Sequence, residues 1–333
     1  MKTIELLKKT KKRFSLLPVL LLVLTLSFTA CNDDDDPMPD PEMEKTIVDV
    51  AAEAGSFNVL IQAAQKAGLA EFLSTEQNIT VFAPTDAAFA TLLTDLGASS
   101  LDDIDAATLT AVLKYHVVGD LAYSNNLESG AVATLNTGSP DGTPLSLLVN
   151  VNGGVMINNV NVTTADVMAS NGVIHVIDKV LLPPTVVDLA TYSDNFSSLV
   201  SAVVKADLAG ALSADGPFTV FAPTNNAFAA LFAALEISGL DDVSVEDLTS
   251  ILTYHVVGDN VLSTELSAGA VAAISGEEFE VTIDGDVMLN GTIKVVATDI
   301  QGTNGVIHVI DAVLVPESQM SNTIADIAVA NSE

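Results

Sequence analysis

"TVFAPTDAAF" fills positions 80–89 and "TVFAPTNNAF" fills positions 219–228. Ten positions stay nearly constant across an offset of 139 residues, so each has a geometric task. "TVFA" reads as a short strand. Pro84 ends its ladder, because proline has no N–H to donate. Thr85 is a good N-cap for a following helix. The predicted buried stripe of that helix is Phe89, Leu92, Leu93 and Leu96, matched by Phe228, Leu231, Phe232 and Leu235 under the cap Thr224. The copies differ at Asp86/Asn225 and Ala87/Asn226, positions expected to be exposed. The motif is explained by a strand, a corner and a capped helix, and requires no chemistry.

The repeat extends outward from this corner. "TIVDVAAEAGSFNVLIQAAQKAGLAEFLS" (46–74) aligns with "TVVDLATYSDNFSSLVSAVVKADLAGALS" (185–213). Helical spacing places Phe57, Leu60, Ile61, Ala64 and Phe72 on one stripe, and Phe196, Leu199, Val200, Val203 and Leu212 on its counterpart. "YHVVGD" recurs at 115–120 and 254–259, where a helix end passes into a strand. "NGVIHVID" recurs at 171–178 and 304–311, now at an offset of 133. The six missing residues are assigned to the loop "NTGSPDGTP" (136–144), since loops absorb length changes. Each copy is domain-sized rather than solenoid-sized. "TIADIAVANSE" (323–333) matches the start of both copies and then stops.

"NGVIHVIDKVLLP" (171–183) carries a turn signal at Asn171-Gly172 and then an apolar run, as a central strand would. His175 shares a face with Val173 and Ile177, while Asp178 lies on the opposite one. A local His–Asp dyad is therefore excluded, as it is for His308 and Asp311. These histidines read as hydrogen-bonded structural residues. His116 and His255, each after a tyrosine, either pin a corner or present a surface.

Chemistry is otherwise sparse. HExxH, CxxC, GxSxG and a phosphate loop ending in Lys-Ser/Thr are all absent from the sequence. No catalytic residue, metal ligand set or cofactor is predicted. "DGDVMLNG" (284–291) has Met288 where a calcium loop needs an oxygen ligand. Four histidines make one metal site per copy only if His116 and His175 meet in space. Tryptophan is absent and aromatics make up 5% of the chain, which argues against an aromatic sugar platform.

Charge narrows the partners. The 333 residues carry a formal charge of −31, with 49% hydrophobic residues. Six of the twelve basic residues fall in the first thirteen positions, and no arginine follows. Such a body repels phosphate backbones, so nucleic acid is excluded as a partner. The N-terminus is an address: "KKTKKR" precedes "FSLLPVLLLVLTLSFTA", the shape of a secretory signal peptide. Cys31, the only cysteine, follows "LSFTA". That stretch resembles a bacterial lipoprotein signal, with Phe28 departing from the usual leucine, and makes Cys31 the predicted lipidation site. The alternative is a plain secreted protein. "NDDDDPMPDPEMEK" cannot pack a core and stays extended, spanning about 40 Å at about 3.1 Å per residue. An acidic run after the lipid cysteine resembles the surface-export signal of Bacteroidota lipoproteins. The expected location is the outer membrane facing the exterior, with the periplasmic face as the alternative.

"TVFAPTDAAF", "YHVVGD" and "NGVIHVIDKVLLP", repeated in this order, resemble the fasciclin domain family. The resemblance implies an α+β fold of two tandem domains, each a two-sheet β-wedge with helices packed around it. The expected organisation is a signal peptide at 1–30, a linker at 31–43, domains at 44–182 and 183–317, and an incomplete third repeat or tail at 318–333. Members are chiefly extracellular adhesion and matrix-associated modules rather than enzymes. Integrin-binding positions of animal members correspond to Tyr115-His116, Tyr254-His255, Asp166-Val167 and Asp299-Ile300, where Val167 replaces the usual isoleucine. The resemblance implies a surface-anchored adhesion protein with a protein, matrix or glycan partner. Binding of a small apolar ligand, in a groove between helices and sheet, is the alternative.

Overall fold

The computed structural model describes residues 45–318. The leader, Cys31, the acidic spacer and the 323–333 motif lie outside the described residues. Helix α1 (Ile47–Ala54) starts at Thr46, whose hydroxyl accepts the Asp49 N–H while the Asp49 carboxylate takes the Thr46 N–H. Reciprocal capping of this kind satisfies donors that a helix start leaves open. Helices α2 (Asn58–Lys66) and α3 (Ala70–Thr75) follow. They are separate because the chain turns left-handed at Gly68, φ +69°. The single stripe expected through 57–73 is therefore broken. Phe57, Leu60 and Ala64 reach the core, but Phe72 is only half-buried and Leu73 takes the interior place on α3.

Strand β1 (Ile79–Pro84) is buried throughout, and Thr85 caps α4 (Asp86–Asp95) through the Ala88 N–H. Phe89 is buried, whereas Leu96 is 56% exposed. The helix stops at Asp95, so the expected stripe outruns the element that would have carried it. Asp86 corrects a second expectation. Its carboxylate accepts the Val59 N–H at 2.8 Å and the Asn58 amide at 3.0 Å. The start of α2 has no cap of its own, and a residue from α4 supplies it. Asn225 does the same in the second copy, accepting the Ser198 N–H at 2.9 Å.

Helix α5 (Ala106–Tyr115) leads into β2 (Val117–Val118), then β3 (Gly130–Ala133), β4 (Ser146–Asn150), β5 (Met156–Ile157), β6 (Val160–Ala169) and β7 (Gly172–Ile177). The strand order is β2-β1-β7-β6-β5-β4-β3, with only β1 and β7 parallel. Strand β7 is central, as its apolar run predicts. Strand β6 carries two register shifts against β7, between 162 and 164 and between 164 and 167. Bulges bend and twist a strand, and here they fold one sheet into two limbs. Phe82 and Ile177 from one limb meet Leu147, Val149 and Ile157 from the other in one core. On the opposite face, Ile79, Val81 and Ile174 pack against α1, α2 and α5. This is the expected wedge with helices on one side.

The second copy repeats the plan. Its helices are α6 (Val186–Thr191), α7 (Ser197–Lys205) and α8 (Ala209–Leu212), then α9 (Asn225–Ala234) and α10 (Val245–Tyr254) around β8 (Phe218–Pro223) and β9 (Val256–Val257). Strands β10 (Gly269–Ala272), β11 (Glu278–Asp284), β12 (Asp286–Leu289), β13 (Ile293–Gly302) and β14 (Gly305–Ile310) complete the same sheet order. "DGDVMLNG" is the β11–β12 hairpin, with Asp284 paired to Asp286. The length difference is finer than expected. The β3–β4 loop runs 134–145 and the β10–β11 loop only 273–277, and the β12–β13 turn then regains one residue.

Candidate functional site

The tyrosine–histidine pairs close α5 and α10. The Tyr115 hydroxyl donates to the Ser146 carbonyl at 2.8 Å and accepts from the Asn158 amide at 2.7 Å. Burial pushes its phenol well above the ordinary range. His116 donates from Nδ1 to the Val112 carbonyl at 2.7 Å, and its Nε2 accepts the Leu181 N–H at 2.9 Å. The ring therefore ties the end of α5 to the segment leaving β7. Burial lowers its pKa to about 4, so it is neutral at pH 7. Tyr254 and His255 repeat this, with the Glu278 carbonyl, the Ile251 carbonyl and the Leu314 N–H as partners. Of the two roles open to these pairs, the structure selects the corner pin. All four side chains are buried and present no surface.

The aspartate–hydrophobic pairs lie at the bulges. Asp166 has φ +58° and Asp299 φ +61°, a left-handed geometry that aspartate tolerates better than most residues. The Asp166 carboxylate accepts the Ser124 N–H at 2.8 Å and the Ser124 hydroxyl. Those two donors hold its pKa below the usual carboxylate value. The Asp166 N–H points at Nδ1 of His175, 3.3 Å away, and His175 donates from Nε2 to the Ala122 carbonyl at 2.7 Å. Ser263, Asp299, His308 and the Val261 carbonyl form the same arrangement. Val167 is half-buried and Ile300 is buried in the second core.

This brings serine, aspartate and histidine together twice, though not the aspartate adjacent to the histidine in sequence. It is not a hydrolytic arrangement. A triad needs the histidine to take the serine proton, but here serine donates to aspartate and both histidine nitrogens are occupied. The cluster clamps the β2–β3 connection onto the bulge of β6. Ser124 and Ser263 escaped sequence reasoning; their signal is a serine kept at the repeat offset of 139. Among the described residues, no group of three metal-ligating side chains occurs. The four histidines hold separate hydrogen-bond partners rather than a shared site.

An apolar cavity lies between the first helices and the sheet in each copy. In the first it is about 50 Å³. In the second it is about 240 Å³, lined by Val186, Val200, Val203, Leu252 and Ile307 beside the His255 ring. Val186 and Val200 stand where the first copy has the longer Ile47 and Ile61.

The two copies also touch. The Ser146 hydroxyl accepts the Gln301 N–H at 2.9 Å, and both residues are buried. Leu148 packs against the core of the second copy. The Asn159 amide donates to the Thr191 carbonyl at 3.2 Å. A cleft of about 540 Å³, lined by Asn150, Tyr192 and Asp194 among others, opens beside this joint.

The same wedge, pin and clamp thus recur twice in one chain. The sequence profile of the Fasciclin domain matches residues 55–183 and 194–316. This chain belongs to the fasciclin domain family. A fasciclin domain pair from the insect cell adhesion molecule Fasciclin I has a similar fold, with TM-score 0.50 and 20% identity over 80% of this chain and 99% of that one. Protein sll1483 of Synechocystis is 47% identical over 133 residues, 40% of this chain and 73% of that protein. Human periostin is 33% identical over 257 residues, 75% of this chain and 30% of periostin. Pig transforming growth factor-beta-induced protein ig-h3 is 32% identical over 286 residues, 84% of this chain and 39% of that protein. The chain thus spans about a third of the length of these animal fasciclin relatives.

Proposed function

We propose that the protein is a non-enzymatic interaction module, displayed on a cell surface through a lipid on Cys31 and mediating adhesion or contact with an extracellular protein, matrix or glycan. The observation that carries this reading is the self-satisfied chemistry of both fasciclin domains. Their histidines, buried tyrosines and serine–aspartate pairs are all engaged in holding the fold. What remains for recognition is the outer surface of a docked pair on an acidic tether. The similarity to a domain pair from an insect cell adhesion molecule supports the same class. Among the described residues, no helix is long and apolar enough to cross a membrane, which leaves attachment to the N-terminal segment in this reading.

Protease shaving of intact producing cells, with and without Cys31→Ala, tests the placement. Loss of the protein from wild-type cells supports outer display. Protection until the outer membrane is ruptured argues for the periplasmic face. Adhesion of cells expressing or lacking the intact chain then tests the role.

A second reading is binding of a small apolar ligand, favoured by the aliphatic cavity of about 240 Å³ in the second domain. Native mass spectrometry of the purified chain separates the readings. A co-purifying apolar molecule supports this one, and a clean mass counts against it.

A further inference from the structure

The joint between the domains has two unlike sides, which we call tail and head. The first domain contributes its tail, the outward face of β4: Ser146, Leu148 and Asn150. The second contributes its head, made by β13 and the C-terminal end of α6, with Gln301 on the strand and Tyr192 capping the helix. A joint with unlike sides can in principle be repeated without closing, giving a filament.

The repeat shows what stands at the unused ends. Tyr115 donates to the Ser146 carbonyl and Tyr254 to the Glu278 carbonyl, so Ser146 and Glu278 are equivalent. Asn158 accepts the Leu148 N–H and Asn290 the Glu280 N–H, so Leu148 and Glu280 are equivalent. The outward face of β4 thus reads Ser-Leu-Asn, and that of β11 reads Glu278, Glu280, Thr282. Burial follows. Leu148 and Asn150 are half-covered and Ser146 is buried, whereas all three residues on β11 are exposed. At the other end, Met168 pairs with Val173 as Gln301 pairs with Val306, yet Met168 is 59% exposed while Gln301 is 2% exposed. Glu53 stands at the repeat position of Tyr192 and is exposed.

We propose that the tail-to-head joint is used once and then closed: Glu278 and Glu280 keep the outward face of β11 from docking on the head of a further fasciclin domain, a second copy of this chain included. Docking there would bury two carboxylates, and the ammonium at that head, Lys45, is already paired with Glu53 at 2.7 Å, so the desolvation cost is large. A polar outer face is the general way a repeat array is kept from extending. The two described domains therefore form a discrete unit through this joint, and a further repeat appended after them hangs unjoined. This holds whichever functional reading is right.

Sedimentation velocity on the full chain in mild detergent tests it. Glu278→Ser with Glu280→Leu rebuilds the β4 tail on β11. We expect self-association at least roughly tenfold tighter than in the wild type, reversed by adding Met168→Glu on the head. Unchanged sedimentation overturns the proposal, as does a wild-type chain that already associates in a manner sensitive to Met168→Glu. The reciprocal variant, Ser146→Glu with Leu148→Glu, places the same charges in the joint in use. It should undock the domains, giving a larger hydrodynamic radius and two unfolding transitions. A joint that survives both glutamates also overturns the proposal.

Discussion

Nε2 of His116 accepts the Leu181 N–H at 2.9 Å, with the ring wholly inside the first domain. A neutral ring is required, because a protonated Nε2 has no lone pair to offer. The pKa falls from 6.5 to about 4 through burial, and His255 behaves alike. Burial lowers that of His308 as well. The unfolded chain therefore binds more protons than the folded one between these values. Stability is fully present above about pH 6.5 and declines as pH falls toward 4, by roughly 3 kcal/mol per buried corner histidine at full titration. Urea denaturation at several pH values from 7.5 to 5, short of the sequence pI of about 4.1, should show this slope. The double variant His116→Gln, His255→Gln should be less stable at pH 7.5 but show a shallower slope.

Gly172 opens β7 against β1. A Cβ there would stand 2.1 Å from the Ile79 carbonyl oxygen, a contact that only backbone movement relieves. Gly172→Ala should cost about 3 kcal/mol or more by thermal or urea unfolding. Gly210, in α8, meets nothing within 4 Å. Gly210→Ala should be neutral or stabilise by up to about 1 kcal/mol. Equal effects at the two glycines would refute the packing account.

Asp86 caps a helix to which it does not belong. Asp86→Ala should lower stability by about 1 kcal/mol through loss of the Val59 cap. Asp86→Asn should cost much less, because Asn225 performs the same task in the second domain. Hydrogen exchange should report the loss at the first turn of α2 rather than at α4.

The larger cavity of the second domain can be filled with the residues of the first. Val186→Ile with Val200→Ile should raise stability by about 1 kcal/mol if the added methylenes enter the void without strain. The same pair should abolish uptake of an apolar fluorescent probe, read as lost emission. Emission that persists would place the probe elsewhere.

Much of the fold is legible in local pattern. The capped corner at Thr85, the buried run at 172–177 and the tyrosine–histidine turn each depend on neighbours a few residues away, where propensity and periodicity act. Reading failed where an element ended unannounced. Leu96 continues a helical stripe past the last turn of α4, and Phe72 sits beyond a left-handed glycine. Periodicity counts residues along a helix but does not say where the helix stops.

The sequence by itself determined the twofold repeat, the strand-corner-helix motif and the exclusion of a local His–Asp dyad. These follow from side-chain order along one chain segment. Tertiary structure alone decided which aspartate meets His175, what caps α2, and how Ser146 meets Gln301 across 155 positions. Such contacts depend on where a bent sheet returns the chain. Alternation places a residue on a face, but only the closed fold brings two faces together.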